Sequence, residues 1–156
     1  MDNPYATLLQ ISSDYAAEDL AKYNWITERH LQVIWLEQKY FANLVTHEGL
    51  AVQVISAGIW NSDAGPDFLK AHVIIGNKEY KGDIEIHLDP RSWYTHGHHT
   101  DERYSQVILH VSLWTPKRDH TVYNHFNEPI SNIYLENSLT LPLNRLVSLI
   151  DLDLYP

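Results

Sequence analysis

Two β-forming stretches flank the dipeptide Gly76-Asn77: residues 68–75 (FLKAHVII) and residues 78–88 (KEYKGDIEIHL). A Gly-Asn pair between two such runs signals a hairpin, because a tight turn needs backbone angles that both residues tolerate. Asp89-Pro90 stops the second run, since proline has no N–H for a sheet ladder. Gly82 is expected to interrupt that strand. A hairpin also fixes a register. Residues whose numbers sum to about 153 lie opposite one another, which brings Asp67 near Glu85 and His87. Alternate side chains of a strand share a face. Asp83, Glu85 and His87 therefore point one way and Ile84, Ile86 and Leu88 the other. The apolar side packs on a helix. The polar side needs solvent or a bound partner, because buried unpaired charge is costly.

The rest of the chain supplies the scaffold. Thr27 reads as an N-cap with Glu28 in the first turn, and Leu31, Ile34, Trp35, Gln38, Phe41, Ala42 and Val45 follow a helical face up to Gly49. Residues 50–55 (LAVQVI) form a strand, and residues 56–65 are turn-rich. His96, His98 and His99 sit in a loop, and Thr100-Asp101-Glu102 opens a further helix. Residues 107–114 (VILHVSLW) are apolar enough for a central strand. Residues 122–123 and 133–135 suggest a peripheral hairpin, and Pro142 starts a short helix. The order is helix, three-strand antiparallel meander, helix, strand, an α/β fold on a mixed α+β sheet. Residues 1–24 read as a polar extension with a frayed start and a short helix over 14–23. Residues 25–138 form the core domain. Residues 139–156 form a tail, expected to be the start of a continuation.

Composition narrows the function. There is no cysteine, which removes disulfides and thiolate metal sites. The net charge of −9 argues against a general basic nucleic-acid surface, although divalent ions in a carboxylate site reverse the local sign. Four of the ten histidines fall between His87 and His99, so their excess is local. The start of the chain lacks a secretory pattern and no apolar run is long enough to span a bilayer, so a cytoplasmic location is expected. No phosphate-loop, dinucleotide or serine-hydrolase motif is present.

The convergence of Asp67 with Glu85 makes an oxygen-rich place for Mg²⁺ or Mn²⁺, with Zn²⁺ a further option through the histidines. Pro66-Asp67 followed by Glu85-Ile86-His87, within this element order, resembles the PD-(D/E)XK phosphodiesterase superfamily of restriction-endonuclease-like enzymes. The resemblance implies a restriction-endonuclease-like core, with Asp67 and Glu85 as metal ligands. His87 stands where such enzymes carry a lysine, as proton acceptor or third ligand. Lys70 or Lys81 would be the substitute cation. The longer string, GPDF with GDIEIH, W-x-x-HGHH-x-D and VILHV, resembles an uncharacterised bacterial family, domain of unknown function 2851, over about residues 28–135. That family implies no activity, and its members are longer than this chain.

The expected function is metal-dependent hydrolysis of nucleic-acid phosphodiester bonds by a metal-activated water, with Asp67, Glu85 and His87 as both catalytic and metal-binding residues. Glu28, Asn61, Asp83, His96, His98, His99, Asp101 and His110 are candidate pocket residues. His96, His98, His99 and Asp101 also suit a transition metal. Expected partners are DNA or RNA, a protein, or the missing C-terminal part, with no membrane. The alternatives are an inactive nuclease-like module that binds a protein or nucleic acid, and a histidine-rich transition-metal protein. Trp93 and Tyr104 read as packing residues.

Overall fold

The computed structural model describes residues 25–156. The expected start and the helix at 14–23 lie outside them. Helix α1 spans Glu28–Glu37, and the Thr27 N–H donates to His30 Nδ1 at 3.0 Å, so the first turn closes back on its cap. Leu31, Val33, Ile34 and Trp35 are buried. The helix is shorter than the apolar spacing suggests. The chain turns left-handed at Gln38 (φ 54°) and again at Asn43 (φ 55°). Leu44 is buried beyond that break while Val45 is exposed, the reverse of the expected helical face. Phe41, Val45 and Thr46 instead make isolated bridges to Leu139, Ala51 and Ile133.

The strands are β1 (Val52–Ser56), β2 (Ile59–Trp60), β3 (Phe68–Ile75), β4 (Lys78–His87), β5 (Val107–Ser112), β6 (Val122–Tyr123) and β7 (Pro129–Tyr134). They form one seven-stranded mixed sheet in the order β1-β3-β4-β5-β7-β6, with the short β2 also on β3. β1, β3 and β4 make the antiparallel meander, whereas β4–β5 and β5–β7 are parallel. The hairpin turns at Gly76 (φ 64°), with Ile75 facing Lys78 and Ala71 facing Gly82. A bulge follows. Lys70 has φ 57° and the pairing shifts by one, so that Phe68 faces Ile84. The bulge lets Phe68 and Ala71, three residues apart, both reach the core.

Gly82 does not interrupt β4. A Cβ at that position would lie 2.4 Å from the Gln106 carbonyl oxygen and 2.5 Å from Ile108 Cγ2. Glycine is there because the start of β5 runs against the strand. Between β4 and β5 the expected helix is replaced by a short helix α2 (Ser92–Thr95) and two 3₁₀ turns, His98–Thr100 and Glu102–Tyr104. Asp101 caps the second turn by accepting from the Arg103 N–H, which stops a longer helix from growing through it. The expected peripheral hairpin is present as β6 and β7, but β7 begins earlier and is not peripheral, since it runs beside β5.

Ile84, Ile86, Leu109, Val111 and Ile133 join Leu31, Ile34 and Trp35 of α1 in the main core. Leu146 of α3 (Leu143–Leu149) and Ile150 enter the same core. A smaller cluster holds Trp93, Tyr104, Val107, Val122 and Ile130. Among the described residues, no helix is long and apolar enough to cross a membrane.

Candidate functional site

The register sets polar side chains in a row across the sheet. Glu85 on β4 pairs with His110 on β5, and His110 pairs with Asn132 on β7. Asp67 lies just ahead of Phe68, the partner of Ile84, and so extends the row on the other side of Glu85. The Asp67 N–H donates to Glu85 Oε2 at 3.2 Å. Each Asp67 carboxylate oxygen accepts a bond: Oδ1 from Gln32 Nε2 at 2.7 Å and Oδ2 from the Ile86 N–H at 2.9 Å.

Glu28 and Gln32 stand one helical turn apart on α1 and thus share a face. Both work on this carboxylate group. Burial pushes the Glu28 carboxyl up to about 7, and the neighbouring Asp67 adds to that. Burial, then the charge of Glu85, pushes Asp67 up to about 7 against the bonds from Ile86 and Gln32. Glu85 rises to about 8, again through burial, with its bond from Asp67 opposing and Glu28 reinforcing. Three partly desolvated carboxyl groups that repel one another form a place where a cation would be strongly favoured.

The histidines complete the pocket. His87 Nε2 lies 3.4 Å and His98 Nε2 3.1 Å from the same oxygen, Glu85 Oε1. One ring nitrogen from each of His87, His96 and His98 falls within 4.8 Å of the others. His87 Nδ1 is 2.7 Å from His110 Nε2, and His110 Nδ1 is 2.8 Å from Asn132 Oδ1. His87 is held well below the ordinary imidazole range by burial and by His110, His96 and His98. His98 falls to about 4 through burial, with Asp101 and Asp67 opposing. His110 also falls to about 4 through burial, against its bond to Asn132. All three are therefore neutral near pH 7, the state that binds metal. Tyr104 stacks on His98 with ring centroids 3.8 Å apart, and Trp93 meets both His98 and His110 edge-on at 5.4 Å.

The structure sorts the candidate residues. Asp67, Glu85, His87, His96, His98 and Glu28 come together, and His110 stands behind His87. Asn61 supports the site from outside, since its side chain donates to the Pro66 carbonyl and its N–H to the Asp67 carbonyl. Asp83 accepts from the Lys70 N–H and lines a separate depression with Lys70, Lys81 and Gln106. His99 turns to the Tyr94 ring, 4.9 Å away. Asp101 is bound by the Arg103 guanidinium, which drives its carboxyl down to about 2. The zinc-type grouping of His96, His98, His99 and Asp101 is thus not assembled. His87 takes the place of the last two because a 3₁₀ turn points successive side chains in different directions. Gln32 and Asn132 are not among the residues marked by the sequence pattern. The four-residue spacing from Glu28 was a usable signal for Gln32. For Asn132 no signal existed without the order of the strands.

The donor set fits a divalent cation. Three imidazoles with a carboxylate suit borderline ions such as Zn²⁺, and the Asp67–Glu85 pair suits harder ones. No curated protein and no solved structure matches the chain. Residues 28–151 match the family described as Protein of unknown function (DUF2851), and the chain belongs to that family.

Proposed function

We propose that this protein is a metal-dependent phosphodiesterase that hydrolyses nucleic-acid phosphodiester bonds, on a core of restriction-endonuclease-like type. The observation that carries the reading is the meeting of Asp67 and Glu85 from neighbouring strands, beside neutral His87. The fold reading is supported by the order of α1, the β1-β3-β4 meander, a helical connection and a parallel β5. Asp67, Glu85 and His87 would hold the ion, Mg²⁺ or Mn²⁺ in the simplest form and Zn²⁺ through the histidines. A bound divalent ion supplies an acidified water and polarises a phosphoryl oxygen. The chain's own residues do the rest. Gln32 and the Ile86 N–H fix Asp67, Glu28 places a third carboxyl group beside it, and unprotonated His87 offers a proton acceptor within the pocket.

The test is cleavage of single- and double-stranded DNA and RNA with Mg²⁺, Mn²⁺ or Zn²⁺ against a chelator blank. Asp67→Asn and Glu85→Gln should each lower metal-dependent cutting by roughly 100-fold or more, the scale of losing a charge-stabilising group. Folded wild-type protein that cuts nothing in any metal would end this reading. A second reading, a nuclease-like module that binds DNA, RNA or a protein without cutting, is favoured by one observation. His87 stands at the expected lysine position, and Lys70 and Lys81 line a different depression. Retention of nucleic acid without cleavage would select it.

A further inference from the structure

We infer that the pocket is a nitrogen-rich transition-metal centre, in which His87, His96 and His98 take a borderline divalent cation such as Zn²⁺ with Glu85 as oxygen donor, and in which His110 and Asn132 position His87. This deepens the hydrolytic reading by naming the class of ion, and rests on it only for what that ion would do.

The hydrogen bonds have a direction. Asn132 Nδ2 donates to the Ile130 carbonyl at 3.1 Å, which turns Oδ1 toward His110. An amide oxygen only accepts, so His110 carries its proton on Nδ1. The direct ring partners of His110, an amide and another imidazole, bring no counter-charge, and the ring is fully buried, so it is neutral. Its Nε2 is then a lone pair, and His87 must donate to it from Nδ1. This leaves the His87 Nε2 lone pair facing Glu85 Oε1 at 3.4 Å. His87 is 1% and Glu85 5% exposed, so bulk water does not separate them. A proton on Glu85 bridges the two atoms in the metal-free protein, and a divalent cation takes its place on loading. His98 Nε2 lies 3.1 Å from the same Glu85 oxygen, and one ring nitrogen of His96 falls within 4.8 Å of one on each of His87 and His98.

A ring nitrogen whose opposite N–H is held by an acceptor is the usual form of a metal-binding histidine, and the outer partner tunes affinity. The backbone of Asn132 is itself fixed by His47, which accepts from the Asn132 N–H at 3.1 Å and donates its own N–H to the Asn132 carbonyl at 2.8 Å. Ligand nitrogens around zinc, at about 2.0–2.1 Å from the ion, lie roughly 3.3 Å apart. The cluster would tighten on loading, chiefly through exposed His96. Mg²⁺ prefers oxygen and gains little from imidazole.

The experiment is calorimetric titration of metal-free full-length protein with Zn²⁺, Co²⁺ and Mg²⁺, together with Co²⁺ absorption and the nitrogen chemical shifts of His87. Expected results are binding of Zn²⁺ more than ~100-fold tighter than Mg²⁺, tetrahedral-type Co²⁺ bands, and a His87 proton on Nδ1. His96→Ala, at an exposed position, should fold normally and lose Zn²⁺ affinity by at least about 10-fold. Asn132→Leu should weaken it by about 10- to 100-fold, and Asn132→Asp, which also accepts, should restore it. Equal Zn²⁺ and Mg²⁺ affinity, Zn²⁺ binding indifferent to His96→Ala, or a His87 proton on Nε2 would each overturn the inference. Zn²⁺ bound without cleavage removes the hydrolytic reading alone. Cleavage with Mg²⁺ that ignores His96→Ala removes this inference alone.

Discussion

Glu28, Asp67, Glu85, His87, His98 and His110 have each been moved toward the neutral form, and the two kinds act on stability in opposite ways. Glu28, Asp67 and Glu85 have folded values above their unfolded ones, so the folded protein holds extra protons from about pH 4 to about pH 7–8. Their contribution is present at acid pH and is lost as pH rises through that window. His87, His98 and His110 have folded values below 6.5, so their contribution is present above that value and lost as pH falls. Below about pH 6.5 the two trends offset one another. Above it only the carboxyl groups still titrate. Metal-free protein should therefore show a nearly flat melting temperature in mild acid and a falling one from about pH 6.5 to 8. A melting temperature that climbs steadily across the second interval would contradict these assignments. The residues behind this behaviour were unevenly legible in the sequence. Asp67, Glu85 and His87 followed from a period of two and a hairpin sum. Glu28 reads first as a solvated first-turn acid, and only the packing of α1 against Asp67 brings it into the site.

Among the elements, β4 carries the site and its position depends on Gly82. The Asp83 N–H donates to the Gln106 carbonyl at 2.8 Å, and that same oxygen lies 2.4 Å from where a Cβ on Gly82 would stand. Gly82→Ala must push β5 away from β4 or break that bond. The expected cost is about 1–3 kcal/mol, the usual range for overpacking, read from urea unfolding. A change below about 0.5 kcal/mol, typical of open surface positions, would mean that β5 yields freely. The sequence shows Gly82 only as a weak point in a strand, because a close approach by a distant strand leaves no local mark. The same limit explains the other departures. The Gly76-Asn77 hairpin, the strand at 107–112 and the polar face of β4 are written in local pattern. The bulge at Lys70, the break at Gln38 and the placement of β7 beside β5 depend on which distant residues need burial. Apolar spacing extends the helix through Val45, but tertiary packing takes Leu44 instead.

At the scale of the whole molecule, the site is held together through contacts far along the chain. α1 brings Glu28 and Gln32 to Asp67, and the last residues clasp α1 at both ends. Arg29 Nη2 donates to the carbonyls of Leu152 and Tyr155 at 3.3 and 3.0 Å, and Tyr155 Oη donates to Glu37 Oε1 at 2.8 Å. Tyr155 also lies against Trp60, with ring centroids 6.2 Å apart. Leu146, fully buried in the main core, anchors the segment that leads there. Two changes should separate anchoring from clasping. Leu146→Ala leaves a cavity and should cost about 2–5 kcal/mol, lowering amide protection throughout the sheet and α1 together. Deleting residues 151–156 removes only the clasp. It should leave β3–β5 protection nearly unchanged while amides of α1 exchange faster, because opening becomes local rather than global. If α1 keeps full protection after the deletion, the apolar face of Leu31, Ile34 and Trp35 holds the helix by itself, and the geometry at Asp67 owes nothing to the distant residues.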